Sequence, residues 1–150
     1  MKKRFGRGIQ TLAVLLAMLF VMNGCSGDKL NETSFSEPLE NQGMAVGDSI
    51  GTQLNISNIS LWKVSYDGDG SEVQYIECGD ETAAKNFYNT QISAFKDITG
   101  KGTSGNSYKA TSDGYFYYAC LVENKVVLAT GKTSNWETIR AILDKMPQVP

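Results

Sequence analysis

The sequence predicts an α+β domain: an antiparallel sheet of four to five strands with two helices on one face, in the order ββα-(β)ββα. Three observations carry this. Two pairs of β-prone runs are each joined by turn residues, each pair is followed by an apolar stripe at helical spacing, and a Gly with a capping residue sits at each strand-to-helix junction.

The first pair starts at Trp62, Val64 and Tyr66, which alternate with Lys63 and Ser65 at the two-residue period of a strand. Asp67-Gly68-Asp69-Gly70 is turn chemistry, and Val73 to Cys78 is a second β-rich run, so the two form a hairpin. Gly79 breaks the strand, and Asp80 can cap a helix by accepting from its first free N–H groups. Ala84, Phe87, Tyr88, Ile92, Phe95 and Ile98 then make one apolar helix face that ends before Gly100. Gly100 to Ser107, rich in Gly, Ser and Thr, reads as a loop.

The second pair repeats that order. A short run at Tyr108 to Thr111 offers a fifth strand, and Tyr115 to Val122 and Val126 to Thr130 are joined by a tight turn at Glu123, Asn124 and Lys125. Gly131 punctuates as Gly79 does, and Ser134 to Glu137 has capping-box spacing. Trp136, Ile139, Ile142, Leu143 and Met146 form the second helix stripe, which Pro147 ends. Two helices on one face would leave the opposite sheet face partly solvated, and that face is where a binding surface is expected. The run Tyr115 to Tyr118 is the densest in aromatic residues. In a strand, Tyr115 and Tyr117 share a side, and they are the candidate binding residues on the outer face.

The N-terminus carries a different message. Lys2, Lys3, Arg4 and Arg7 stand before Leu12 to Met22, eleven apolar residues, which is the layout of a signal peptide and too short for a permanent membrane span. Met22-Asn23-Gly24-Cys25 resembles the lipobox of bacterial lipoproteins, with Met22 and Asn23 where Leu and a small residue are usual. The resemblance covers residues 1–25 only. It implies removal of residues 1–24, lipidation of Cys25, and anchorage in the cell membrane or outer membrane facing away from the cytoplasm. Two acyl chains at roughly 0.8 kcal/mol per buried methylene would make that anchorage effectively permanent.

Loss of residues 1–24 leaves ten Lys and Arg against sixteen Asp and Glu, an acidic chain ill suited to binding nucleic acid or anionic lipid, whose head groups would repel the domain as a whole. Residues 25–55 are mostly small and polar without periodicity, and read as the lipidated Cys and a flexible tether. Residues 56–150 suffice for a single domain.

Cys78 and Cys120 remain once Cys25 is used. An exported chain with two thiols left can pair them, closing a loop worth roughly 4 kcal/mol in the chain-entropy model; the alternative is two small apolar residues in strands.

Histidine is absent from the chain. That removes Ser-His-Asp and Cys-His nucleophile activation, His-ligated zinc and a histidine base. No carboxylate pair stands out by position, so no catalytic residue is assigned and no enzyme is expected. Thr130-Gly131-Lys132-Thr133 sits between strand and helix but lacks the upstream Gly of a phosphate loop, Val126 standing in its place. Asp67, Asp69 and Glu72 resemble the start of a calcium loop without its distal Glu, so a solvated turn is expected and no metal or cofactor. Asn31-Glu32-Thr33, Asn55-Ile56-Ser57 and Asn58-Ile59-Ser60 match a glycosylation pattern by chance in such a protein. The expected function is a non-catalytic binding or protein-interaction module. The partners expected are the membrane through the N-terminal lipid and an envelope protein; the alternative is a glycan or small molecule held by an aromatic sheet face.

Overall fold

The computed structural model describes residues 28–49, 58–100 and 105–150. It shows an α+β fold with a six-stranded, wholly antiparallel sheet and three α-helices among these residues. In chain order the elements are α1 (Glu32–Glu40), β1 (Ala45–Asp48), β2 (Ile59–Tyr66), β3 (Glu72–Cys78), α2 (Glu81–Thr99), β4 (Ser107–Ser112), β5 (Tyr115–Val122), β6 (Lys125–Lys132) and α3 (Trp136–Leu143). The sheet order is β1-β2-β3-β6-β5-β4. Two three-stranded meanders therefore meet along the central β3–β6 ladder, and α2 carries the chain from β3 to the far edge.

The strand count and the helix count both exceed the sequence expectation, because α1 and β1 form within residues 25–55, where composition suggests a tether. Asn31 caps α1: its Oδ1 accepts from the Ser34 N–H at 2.9 Å, and the Ser34 hydroxyl accepts from the Asn31 N–H at 2.9 Å. Leu30, Phe35 and Leu39 are fully buried, and the Phe35 ring meets Tyr75 with centroids 5.3 Å apart. Lys63 on β2 then holds the segment, reaching Glu32 of α1 at 2.7 Å and Asp48 of β1 at 2.8 Å. The hydrogen bonds to Asp48 and then Glu32 raise the Lys63 pKa. Leu30, Phe35, Leu39 and Met44 anchor a segment that is otherwise mostly polar, which is why average composition conceals it.

The helices also divide between the two faces of the sheet. α2 packs Ala84, Tyr88, Ile92 and Phe95 on Ile76, Cys78, Tyr108, Ala119, Val126 and Leu128. α1 and α3 cover the other face, where Trp136, Ile139, Ile142 and Leu143 join Val73, Tyr75, Phe116, Tyr118, Cys120 and Val127. The expectation of both helices on one face is thus corrected. The cause lies in the central strands: Val126 to Ala129 are all buried, and Phe116 to Val122 are buried on both sides apart from half-buried Tyr117 and Leu121. A strand apolar on both sides needs cover on both sides.

Several local expectations are met. The Asp80 carboxylate accepts from the Ala83 N–H at 2.8 Å, and Gly100 ends α2 in the left-handed region at φ 64°. Two are not. Ser134 makes no cap; Thr133–Asn135 form a 3-10 turn, and Asn135 Nδ2 instead donates to the Ser71 hydroxyl at 3.0 Å. Gly131 lies inside β6, and its role is close approach: a Cβ there would fall 2.6 Å from Ser71 Oγ and 2.9 Å from the Phe116 ring.

Candidate functional site

α2 starts beyond the Cys78 end of β3 and runs toward the start of β4, and on its own side it covers the opposite ends of the central strands only in part, with Gln91 and Phe95 beside Glu72, Gln74 and Thr130. The register fixes what lies there. Tyr66 is opposite Glu72, Glu72 opposite Thr130, and Thr130 opposite Tyr117, which places one row across β2, β3, β6 and β5. Three strand spacings separate Tyr66 from Tyr117, about 14 Å. Tyr115, opposite Lys132, stands two residues beyond Tyr117 on the same side.

The row combines aromatic surface with hydrogen-bonding side chains. Tyr66 and Tyr115 are among the most exposed large apolar side chains, at 58% and 47%. Behind them Trp62 Nε1 donates to Gln74 Oε1 at 2.7 Å, and Gln74 Nε2 donates to the Glu72 carboxylate. Partial desolvation, with the Glu72 charge and hydrogen bond beside it, raises the Tyr66 pKa. A hollow of about 70 Å³ lies between Glu72, Gln74, Gln91, Phe95 and Thr130. It is too small for a sugar ring, so the surface is in effect open and flat.

Of the two tyrosines singled out from the sequence, Tyr115 is exposed as expected. Tyr117 is half-buried against Phe95 of α2, with ring centroids 5.4 Å apart, because this is the face that α2 covers. Sequence reading did not join Tyr66, Glu72, Gln74 and Thr130 to them. The two-residue period puts Tyr66 on the Trp62 side of β2, but only the β3–β6 pairing brings that side next to Tyr117.

The remaining candidates fall elsewhere. Cys25 and Asn55 lie outside the described residues, as do residues 101–104 of the expected loop. Cys78 and Cys120 are both buried free thiols, one in each core layer. Cys120 is opposite Val127 and Val127 opposite Tyr75, so the two cysteines are two strands and three residues apart, about 14 Å. A disulfide needs Cα atoms within about 7 Å, so the pairing raised from the sequence is not formed and the two residues take the alternative role of small apolar residues in strands.

The Asp67 carboxylate accepts from the Asp69 N–H at 2.9 Å and the Ser71 N–H at 2.7 Å, closing its own turn. Among the described residues no group of three or more His, Cys, Asp or Glu could hold a metal ion, and no helix is long and apolar enough to cross a membrane. Asn31 of the first glycosylation match is the α1 cap, and Asn58 of the third precedes β2 at φ 68°. A second concavity, a polar groove of about 470 Å³, runs along the outside of α1 beside Lys145 and Pro147. No family model matches this chain, and no match emerges among curated proteins or solved structures.

Proposed function

We propose that the chain is a lipid-anchored extracytoplasmic binding module without catalytic activity. Its partner is an envelope protein met by the open aromatic end of the sheet. The observation that carries this reading is the row Tyr66, Glu72, Thr130 and Tyr117 with Tyr115 beyond it, which α2 covers only in part and whose two ends, Tyr66 and Tyr115, are exposed. Tyrosine supplies large contact area at low entropic cost, and a flat face of this kind suits a protein surface better than a small ligand.

One observation favours a glycan as the alternative. Trp62, Gln74, Glu72 and Tyr66 form a continuous hydrogen-bonded chain beside exposed rings, and sugars offer both an apolar face to stack and hydroxyls to bond.

Cross-linking in intact cells followed by mass spectrometry of the captured material tests the choice. A reproducible protein lost from the Tyr66→Ala and Tyr115→Ala variants supports the module; capture of glycan alone moves the assignment to the alternative. Capture unaltered by both substitutions rules out this face.

A further inference from the structure

The domain begins much closer to Cys25 than composition suggests. Lys29 reaches Glu123 at 3.2 Å and Leu30 is buried in the core, so the fold is already engaged four residues after Cys25. From Cys25 to Asp28 is three residue steps, a covalent reach of at most about 11 Å. A domain of about 120 residues has a radius of gyration near 14 Å. If Cys25 is lipidated, as in the function proposed above on which this inference rests, the leash is shorter than the domain is wide.

The point of attachment is defined by the sheet. Leu30 belongs to the core layer under α1 and α3, and Lys29 touches the turn between β5 and β6. The aromatic row lies on the opposite face and toward the opposite strand ends: Tyr115 opens β5, whereas Glu123 follows its last residue, Val122. Eight residues of strand span about 26 Å. Anchor and aromatic row are therefore diagonally opposed.

The polar groove of about 470 Å³ starts at the attachment point, since Asp28 and Lys29 line its mouth, and continues past Asn31, Ser34 and Glu37 to Lys145. Lys29 is already paired with Glu123, and Asn31 and Ser34 are committed to the α1 cap, so the groove face offers the Lys145 ammonium, the Thr33 hydroxyl and the Asn41 amide to phosphate groups, and the Asp28 and Glu37 carboxylates to amines, of phospholipid head groups, and it offers little to acyl chains. We infer that this groove face of the α1/α3 layer rests on the phospholipid head groups of the anchoring membrane, turning Tyr66 and Tyr115 outward. A leash of 25 to 30 free residues would let the domain tumble. A reach of about 11 Å does not.

The test uses the full lipidated protein in vesicles of phosphatidylethanolamine and phosphatidylglycerol, with a small fluorophore on Lys145→Cys, on Thr33→Cys or on Asp69→Cys. Lys145 and Thr33 flank the groove, and Asp69 is in the exposed β2–β3 turn. A nitroxide on the lipid head groups is expected to quench the probes at 145 and 33 at least threefold more than the probe at 69. Equal quenching of all three in protein that floats with the vesicles overturns the orientation alone. Protein that fails to float, with Cys25→Ala fractionating like wild type, overturns the anchor and the orientation with it. Groove probes shielded from a soluble quencher in detergent, at twice the monomer mass, would make the occupant a second copy and also overturn the inference.

Discussion

Cys78 and Cys120 are buried on opposite faces of the same sheet, Cys78 beneath α2 and Cys120 beneath α1 and α3. The sheet itself separates them, so oxidation cannot join them without unfolding. Burial raises the pKa of both thiols, that of Cys120 to about 11, which leaves little thiolate at neutral pH. With Cys25 lipidated as proposed, a thiol reagent is expected to titrate two groups in denaturant, with or without prior reduction, and almost none in the native state at pH 7.5. Two thiols that appear only after reduction would contradict this topology.

Phe35 offers a direct test of where the domain begins. Its ring is fully buried and packs on Tyr75. Phe35→Ala is expected to cost about 3–5 kcal/mol and to lower the urea midpoint accordingly. A substitution in a free tether would leave the midpoint where it was.

Alkaline pH should weaken the fold. Burial raises the Tyr88 pKa from 10.0 to about 12 and those of Tyr75 and Tyr118 further, and raises Cys120 from 9.0 to about 11. Above the unfolded values the unfolded chain releases protons that the folded chain retains, so the unfolded state binds fewer and stability falls as pH rises. The contribution of these groups is complete below about pH 8, a unit under the unfolded thiol value, and is lost progressively from there through about pH 12. Urea midpoints at pH 8, 9.5 and 11 should decline in that order, with a shallower decline in Tyr118→Phe. A midpoint constant to pH 11 would show that these side chains ionise freely in the fold.

Much of this architecture is legible from residue order. The alternation at Trp62 to Tyr66, the Asp80 cap, the Gly100 stop and the stripes of α2 and α3 are local signals, and local structure obeys them except at Ile98, which the last turn of α2 leaves exposed. The Asp113-Gly114 pair, with φ of 52° and 81°, turns β4 into β5 and was readable by the same rule. The long apolar runs of β5 and β6 announce two-sided burial, which the single-face arrangement overlooks. α1 escaped for a different reason. Pro38 interrupts its pattern, its cap is the less familiar Asn31–Ser34 pair, and its stability comes from Tyr75, forty residues away. Likewise the aromatic row exists only because β6 returns beside β3, a non-local pairing that no window along the chain contains.

That central pairing also sets a sequence of events for the growing chain. β1, β2 and β3 can assemble as each emerges, but the free side of β3 waits for Lys125–Lys132, nearly fifty residues later. Until then Val73, Tyr75 and Ile76 sit on a strand with one row of backbone groups unclaimed, an open template for another chain. Under the export proposed above, delivery of the whole chain before folding starts would keep that template from forming at all.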